Sequence, residues 1–309
     1  MAHSYIGRFA PSPSGPLHFG SLLCAFASFL HARQHNGKWL VRIEDIDTPR
    51  IDSAMSKVIL DSLHAHGLDW DEKVTYQSDR LDYYQSVLDK LSLQHDIYAC
   101  ACSRKQIKAR SQFYDQHCRH LQLTFLDRAI RFKHDQTNNQ FDDFILGSQN
   151  IEDGIANEDF VVKRADGIFA YHLVVVADDI EQQVSHILRG NDLLSMTPVH
   201  LSLFQAMQAH IPEYGHMPVV VQAPKQKLSK QHHSPAIDDS RALENIKLAL
   251  CYLGIPIHKQ ANLTTVHSMV GWAIKNWHLE MLPKQTELLI SITNGVYSMS
   301  DEPILNNNA

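Results

Sequence analysis

From Arg8 to Ser21 the chain reads Arg8-Phe9-Ala10-Pro11-Ser12-Pro13-Ser14-Gly15-Pro16-Leu17-His18-Phe19-Gly20-Ser21, residue types suited to holding a phosphate. A helix that starts near His18 turns unpaired N–H groups and the positive end of its dipole outward. Gly20 would admit a nucleotide close to the backbone, and His18 could donate to a phosphate oxygen. Gly15 and Gly20 have the spacing of a P-loop. Ser21-Leu22, however, stands where that loop needs Lys followed by Ser or Thr, and no G-x-G-x-x-G follows. Taken alone, the stretch fits a proline-rich loop with a capping histidine equally well.

A second group is Cys100, Cys102 and Cys118, three of the five cysteines. Thiols this close, outside any secreted disulfide pattern, suit tetrahedral zinc. Tyr114, His117 and His120 all lie within reach as a fourth ligand, and ligand chemistry favours a histidine. With four positions filled, the role would be structural. A third group is the lysine-rich segment Lys225 to Lys230, which on its own reads as solvated surface.

The elements that would position these groups are an α/β series. Tyr5 to Ala10 reads as a strand, the three prolines hold the next loop extended, and Leu22, Leu23, Phe26, Phe29 and Leu30 recur at helical spacing up to a stop at Asn36-Gly37. Lys38 to Ile43 reads as a second strand, which implies a parallel crossover. In such sheets ligands lie beyond the carboxyl ends of the strands, so Arg8, Ser12 and Glu44 converge on one crevice, where Arg8 and Glu44 could also form a plain ion pair. Helices are expected from Ser53 to about His66 and from Arg80 to Leu93, the latter with Ser78 as N-cap. Arg128 to Lys133 reads as a strand, Asp135 to Gln140 as a polar loop, and Phe160 to Arg164 as a strand before a turn at Gly167. The apolar run Phe169 to Ala177 reads as a buried strand, interrupted by Tyr171 and His172. Val184 to Leu188 is a strand candidate with Arg189 at its carboxyl end, where an unpaired buried guanidinium would be costly without an anion. A helix from Pro198 to His210 and a strand from Pro218 to Ala223 follow. From Asp238 onward the pattern is helical, with a frayed tail at Asn306-Asn307-Asn308.

The 309 residues, 44% hydrophobic and 20% charged, have room for one large core or two small ones. No apolar run is long enough for a bilayer, and Met1 to Ser4 lacks a signal peptide's basic and apolar regions, so a cytoplasmic protein without a membrane partner is expected. The net charge of −6 argues against binding nucleic acid through bulk positive charge, and no DNA partner is expected. A local basic surface could still meet RNA.

Leu17-His18-Phe19-Gly20 and Lys227-Leu228-Ser229-Lys230-Gln231, taken together, resemble the paired signatures of class I aminoacyl-tRNA synthetases. The resemblance is closest to the glutamyl branch. It is carried by Gly7 to Gly15, Arg42-Ile43-Glu44-Asp45-Ile46-Asp47, Phe169-Ala170-Tyr171-His172-Leu173 and Leu188-Arg189-Gly190-Asn191-Asp192, in the family's order over most of the chain. A full glutamyl-tRNA synthetase continues into an anticodon-binding helical domain, whereas this chain ends at Ala309. A short paralogous family, the glutamyl-queuosine tRNA(Asp) synthetases, lacks that domain, and the sequence resembles it.

The resemblance implies a Rossmann-like parallel-sheet catalytic domain with an inserted zinc-binding α+β subdomain and a short helical C-terminal piece. The expected division is 1–70 and 161–235 for the two catalytic halves, 71–160 for an RNA-touching insertion, and 236–309 for the helical end. ATP with Mg²⁺, L-glutamate and queuosine-containing tRNA(Asp) are the implied substrates. A carboxylate-bearing amino acid needs a planar cation and an anion for its ammonium, which Arg8 and Glu44 supply. Phe9, Ala10, Pro11, Ser12, Tyr171 and Arg189 complete the implied glutamate site. His18, Gly20, Ser21, Lys227 and Lys230 would bind ATP, with His18 and Lys230 catalytic. Gln231 replaces the residue usual at the end of that loop, so its dynamics should differ. The zinc-containing members have the pattern Cys-x-Cys, Tyr, Cys, which selects Cys100, Cys102, Tyr114 and Cys118.

Overall fold

The computed structural model describes residues 5–47, 51–135, 139–151, 154–228, 234–257 and 263–304, without the side chains of 155, 156 and 301–304. Lys230 and Gln231 lie outside the described residues, as do the first four residues and the expected tail at 306–308.

The first half runs β1 (Ile6–Phe9), α1 (Phe19–Gln34), β2 (Lys38–Ile43), α2 (Ser53–Ala65), β3 (Thr75–Tyr76), α3 (Leu81–Leu93), β4 (Ile97–Cys100), α4 (Arg104–Arg110), β5 (Ala129–Phe132), β6 (Gln140–Asp143), β7 (Gly147–Asn150) and β8 (Val161–Lys163). The second continues α5 (Tyr171–Glu181), β9 (His186–Gly190), α6 (Thr197–Ala206), β10 (Glu213–Met217), β11 (Val219–Ala223), β12 (Gln226–Lys227), α7 (Ala242–Tyr252), α8 (Val266–Asn276), β13 (Glu287–Thr293) and β14 (Val296–Ile304).

Strands β1, β2 and β3 form a parallel sheet, and β10 lies parallel between β9 and β6 in a second one. Ile6 and Ser185 join the two edges. The Ile6 N–H donates to Ser185 Oγ at 2.8 Å, and the Ser185 N–H to the Ile6 carbonyl at 2.9 Å. The carboxyl ends of β1, β2, β9 and β10 therefore face one crevice, as a parallel-sheet nucleotide fold requires. Helix α1 covers the sheet and is buried nearly all round, from Phe19 to Ala32, in one core with α7, α8 and β13. Helices α3, α5 and α6 build a second core against β5, β8 and β10.

The sheets cross the expected boundary at residue 160. Strand β8 pairs with β5, itself paired with β4, and β6 pairs with β10 through Tyr214 and Asp143. No helix among the described residues is long and apolar enough to cross a membrane.

Several expectations are corrected. The run from Phe169 is no strand: α5 begins at Tyr171, and Leu173 to Asp179 are all buried. A helix apolar on every side carries no 3.6-residue rhythm, and its valines read as β-branched strand. The C-terminal part is not wholly helical, because β13 pairs parallel with β11 and antiparallel with β14. Ser78 caps no helix; its N–H and hydroxyl donate to Asp45 at 2.8 and 2.6 Å, and a short 3₁₀ turn leads into α3. Arg189 lies inside β9 rather than after it. Asn36, at φ 52°, makes the left-handed turn after α1, whereas Gly37 is needed because a Cβ there would lie 2.5 Å from the Tyr5 carbonyl.

Candidate active site

The crevice holds a cavity of about 250 Å³. Arg8 and Phe9 reach it from β1, Ala10, Pro11 and Ser12 from the loop beyond, and His18, Gly20 and Ser21 from the start of α1. Glu44, Tyr171, Arg189 and Lys227 close its other sides. The structure thus brings together every described residue expected to hold glutamate or ATP.

Proline fixes the entrance. The Glu44 N–H donates to the Pro11 carbonyl at 3.0 Å, tying the loop to the end of β2. His18 is the N-cap of α1, extended at φ −103° and ψ 169°, and its Nδ1 accepts the Ser21 N–H at 3.2 Å. An accepting Nδ1 places the ring proton on Nε2. A Cβ on Gly20 would stand 3.3 Å from that ring, so glycine lets the imidazole fold over the helix start.

Arg8 does not pair with Glu44. Its Nε lies 3.3 Å from Asp179, which also takes Arg42 Nη1 at 2.9 Å. Arg42 is fully buried, 3.5 Å from Asp178 and 3.9 Å from Glu44. Two guanidinium groups thus share adjacent carboxylates on α5, and Glu44 sits at the edge of the cluster, its nearest cation, Arg42 at 3.9 Å, lying closer to Asp178 and Asp179. Burial pushes its carboxyl up to about 7, against the pull of Arg42 and Arg8 and with help from Asp179 and Asp178.

Arg189 is buried but not unpaired. Its Nε donates to His216 Nε2 at 2.9 Å, Nη1 to His200 Nδ1 at 3.1 Å, and Nη2 to Thr197 Oγ1 at 2.9 Å and the Leu193 carbonyl at 3.1 Å. Its guanidinium also lies 5.0 Å from the centre of the Tyr214 ring. These donations fix the tautomers: His216 keeps Nδ1–H for Asp143 at 2.6 Å, and His200 keeps Nε2–H for His172 at 3.2 Å. Burial, with Arg189 close by, holds His200 well below the ordinary histidine range. Burial likewise lowers His216 to about 4, despite Asp143. The acceptors are therefore neutral, and the guanidinium keeps its charge for the cavity.

Lys227 on β12 forms an ion pair with Asp192, just beyond β9. Pairing of β12 with β11 and the bond from the Leu228 N–H to the Val220 carbonyl at 2.9 Å bring that segment against the start of α1.

The three thiols of Cys100, Cys102 and Cys118 converge within 4.8 Å of one another. The Cys102 and Cys118 sulfurs are 3.5 Å apart, close to the roughly 3.8 Å spanned by two Zn–S bonds at the tetrahedral angle. Tyr114 Oη lies 3.5 Å from Cys100 Sγ and accepts the Cys118 N–H at 2.9 Å. His117 and His120 are outside the cluster and exposed, against the preference from ligand chemistry for a histidine. The donor set suits a closed structural zinc. Ile107 of α4 packs on this cluster.

Sequence reasoning missed Asp178, Asp179, Asp143, Thr197, His200 and His216. Two adjacent acids in an apolar run were a usable signal, since buried carboxylates need cations. The histidines stand singly in the chain, and only the pairing of His216 opposite Arg189 makes them a unit.

The chain is similar to known proteins along most of its length. The profile of tRNA synthetases class I (E and Q), catalytic domain, matches residues 6–287. Identity to the glutamyl-Q tRNA(Asp) synthetase of Photobacterium profundum is 42% over 290 residues, 94% of either chain. To that of Serratia proteamaculans it is 42% over 299 residues, 97% of this chain and 98% of the relative. The fold resembles the glutamate-tRNA synthetase of Elizabethkingia anophelis at TM-score 0.73 and 24% identity, over 92% of this chain and 67% of that one. With its parallel sheet, its crevice and these relatives, the chain belongs to the class I tRNA synthetases of the glutamyl and glutaminyl type, among the glutamyl-Q tRNA(Asp) synthetases.

Proposed function

We propose that the protein activates L-glutamate with ATP and transfers the glutamyl group to queuosine of tRNA(Asp). The observation that carries the glutamate part is the cradle of Arg8, Arg189 and Glu44 around one cavity beside the start of α1. The acceptor follows from the names of the relatives.

In the first step an oxygen of glutamate's α-carboxylate attacks the α-phosphorus of ATP. The P–O bond to pyrophosphate breaks and pyrophosphate takes the electron pair. Arg189, which no carboxylate among the described residues matches, supplies the cation for the substrate carboxylate, Arg8, shared with Asp179, lines the site as a second hydrogen-bond donor, and Glu44 is the anion for the ammonium. Tyr171 and Ser12 offer hydroxyls, while Phe9, Ala10 and Pro11 form the wall. His18 donates from Nε2 to the phosphate beside Gly20 and Ser21, and catalysis is by positioning and charge stabilisation. Lys227, released from Asp192, and Lys230 take the pyrophosphate side. A Mg²⁺ ion arriving with the nucleotide supplies charge neutralisation on the triphosphate. In the second step a hydroxyl of the queuosine cyclopentenediol attacks the acyl carbon, the bond from that carbon to the phosphate oxygen breaks with its electron pair going to AMP, and the hydroxyl proton passes to an oxygen of the departing phosphate. Cys100, Cys102, Tyr114 and Cys118 would hold a zinc that ties β4 to the loop before β5. We place the catalytic halves at 1–70 and 161–235, the RNA-facing insertion at 71–160, and the end-piece at 236–309, in the cytoplasm.

The test is transfer of labelled glutamate, with ATP, onto tRNA(Asp) with and without queuosine, beside tRNA(Glu). Label on queuosine-containing tRNA(Asp) alone is the expected result; label on tRNA(Glu) overturns the acceptor assignment.

A further inference from the structure

Two arginines touch the thiol cluster. Arg131 is buried, and its guanidinium stands 3.6 Å from the centre of the Tyr114 ring while Nη1 donates to the Asp159 carbonyl. Arg110 is exposed. Its Nη2 lies 3.2 Å from Cys102 Sγ, within hydrogen-bond range of a sulfur, and 3.0 Å from Asp115 Oδ1; its Nε donates to Asp115 Oδ2 at 2.6 Å. Cys100 and Cys118 are buried and Cys102 is half-buried, so this guanidinium stands over the least covered of the three thiols.

Local structure puts it there. Cys102 precedes α4 by two residues, and the capping box of Ser103 with Gln106 fixes where the helix begins. Helical side chains lean towards the N-terminus, so Arg110, the last residue of α4, reaches back along the helix to Cys102. Ile107, one turn earlier on the same face, packs on the cluster. Asp115 follows Tyr114 directly, so the fork of Arg110 ties the segment carrying Tyr114 and Cys118 to the one carrying Cys100 and Cys102. A part-exposed Arg–Asp pair contributes little by itself; what sets this one apart is the sulfur on the same nitrogen. Three thiolates outweigh the charge of one Zn²⁺, so the loaded cluster is an anion, and a cationic donor aimed at a ligating sulfur both orients that sulfur and offsets its charge.

We propose that Arg110, steadied by Asp115, is the positioning residue for a zinc held by Cys100, Cys102, Tyr114 and Cys118, fixing Cys102 Sγ through its N–H and closing the solvent side of the site. The proposal rests on the zinc reading of those four residues and is independent of the glutamyl-transfer reading.

The test uses the full chain and reads the metal. Zinc affinity is measured by competition with a chromophoric chelator in wild type, Arg110→Ala, Arg110→Lys and Asp115→Asn. Each is also loaded with Co²⁺, whose thiolate-to-metal charge-transfer absorption reports how strongly the sulfurs donate. Arg110→Ala should bind zinc about 10- to 100-fold more weakly, the usual cost of losing an outer-shell partner. Its charge-transfer band should move to longer wavelength, because a sulfur freed of its hydrogen bond gives up electron density more readily. Arg110→Lys keeps the charge and one donor but not the fork, so it should fall between alanine and wild type in both readouts. Asp115→Asn should weaken zinc less than the alanine variant does and move the band the same way. Glutamate-dependent ATP–pyrophosphate exchange should stay at the wild-type rate throughout, because neither Arg110 nor Asp115 lines the cavity. An alanine variant with wild-type zinc affinity, or with weaker zinc and an unmoved band, overturns the proposal alone. A wild type that takes up no zinc overturns the zinc reading and this proposal with it.

Discussion

Replacing Glu44 by glutamine should make the protein more stable above neutral pH while weakening its hold on glutamate. The folded carboxyl ionises near 7, against 4.5 for an ordinary glutamate, so between those values the folded chain holds a proton that the unfolded chain has released. Stability contributed by Glu44 is therefore greatest below about pH 4.5, falls as pH rises towards 7, and is flat beyond. A shift of this size corresponds to roughly 3 kcal/mol of destabilisation at pH 8. The cause is geometric: Arg42 has Asp178 and Asp179 as nearer anions, so the charge on Glu44 is left at the cavity edge, and the ammonium of the substrate would supply its counter-ion. Urea unfolding of wild type and Glu44→Gln at pH 5 and pH 8 should give similar stabilities at the lower pH, and a gain for the variant of up to about 3 kcal/mol at the higher. In pyrophosphate exchange the wild-type KM for glutamate should rise about tenfold per unit as pH falls below 7, because binding must expel the proton. The variant should show a high KM without that inflection. A variant no more stable at pH 8, or a wild-type KM flat from pH 5.5 to 8, refutes this account of Glu44.

Two further outcomes follow from the supporting residues. Asp143→Ala removes the acceptor that keeps the proton on His216 Nδ1, so Arg189 loses its anchored partner; the loss of about 1–3 kcal/mol should appear mainly as a rise of roughly 5- to 150-fold in KM for glutamate, with kcat changing less. Cys118→Ala should lower bound zinc from one per chain, measured by metal analysis, and lower the unfolding temperature, and unchanged stoichiometry removes the thiol cluster as the metal site.

Arg8, Ser12 and Glu44 were legible from topology, because β1 and β2 are parallel and side chains at or just past their carboxyl ends must meet. Tyr171 and Lys227 came to the cavity through the family resemblance alone, and the strand expected around Tyr171 is a helix. Its placement holds because Tyr171 is the first residue of α5, directly after Ala170, whose extended backbone ends the preceding segment. The cation supports were hidden by the same misreading, since Asp178 and Asp179 gain their partners only when α5 is helical. The β13–β14 hairpin carried a local signal that was passed over, the Asn294-Gly295 turn, whose residues take φ 52° and 77° between strands that pair antiparallel; only the seat of β13 on β11 depends on residues more than sixty positions earlier. His200 and His216 carry no local pattern and become a pair only around Arg189.

The neutral surroundings of Arg189 also bear on which amino acid is accepted. A guanidinium already matched to a protein carboxylate would offer a ligand little net attraction, and a carboxamide would suit it nearly as well as a carboxylate. Here the partners are two imidazoles, a hydroxyl and a carbonyl, so the hydrogen-bond geometry is fixed while the positive charge is still to be matched. A guanidinium donor makes a charge-assisted hydrogen bond to either acceptor, so what separates the two ligands is the Coulombic attraction that only a carboxylate adds. Glutamine, nearly the same shape as glutamate, would forfeit that attraction at Arg189 and would leave a buried cation facing an amide dipole. Discrimination between an acid and its amide would thus be built from uncharged protein groups, those that leave a cation unsatisfied until the right anion arrives.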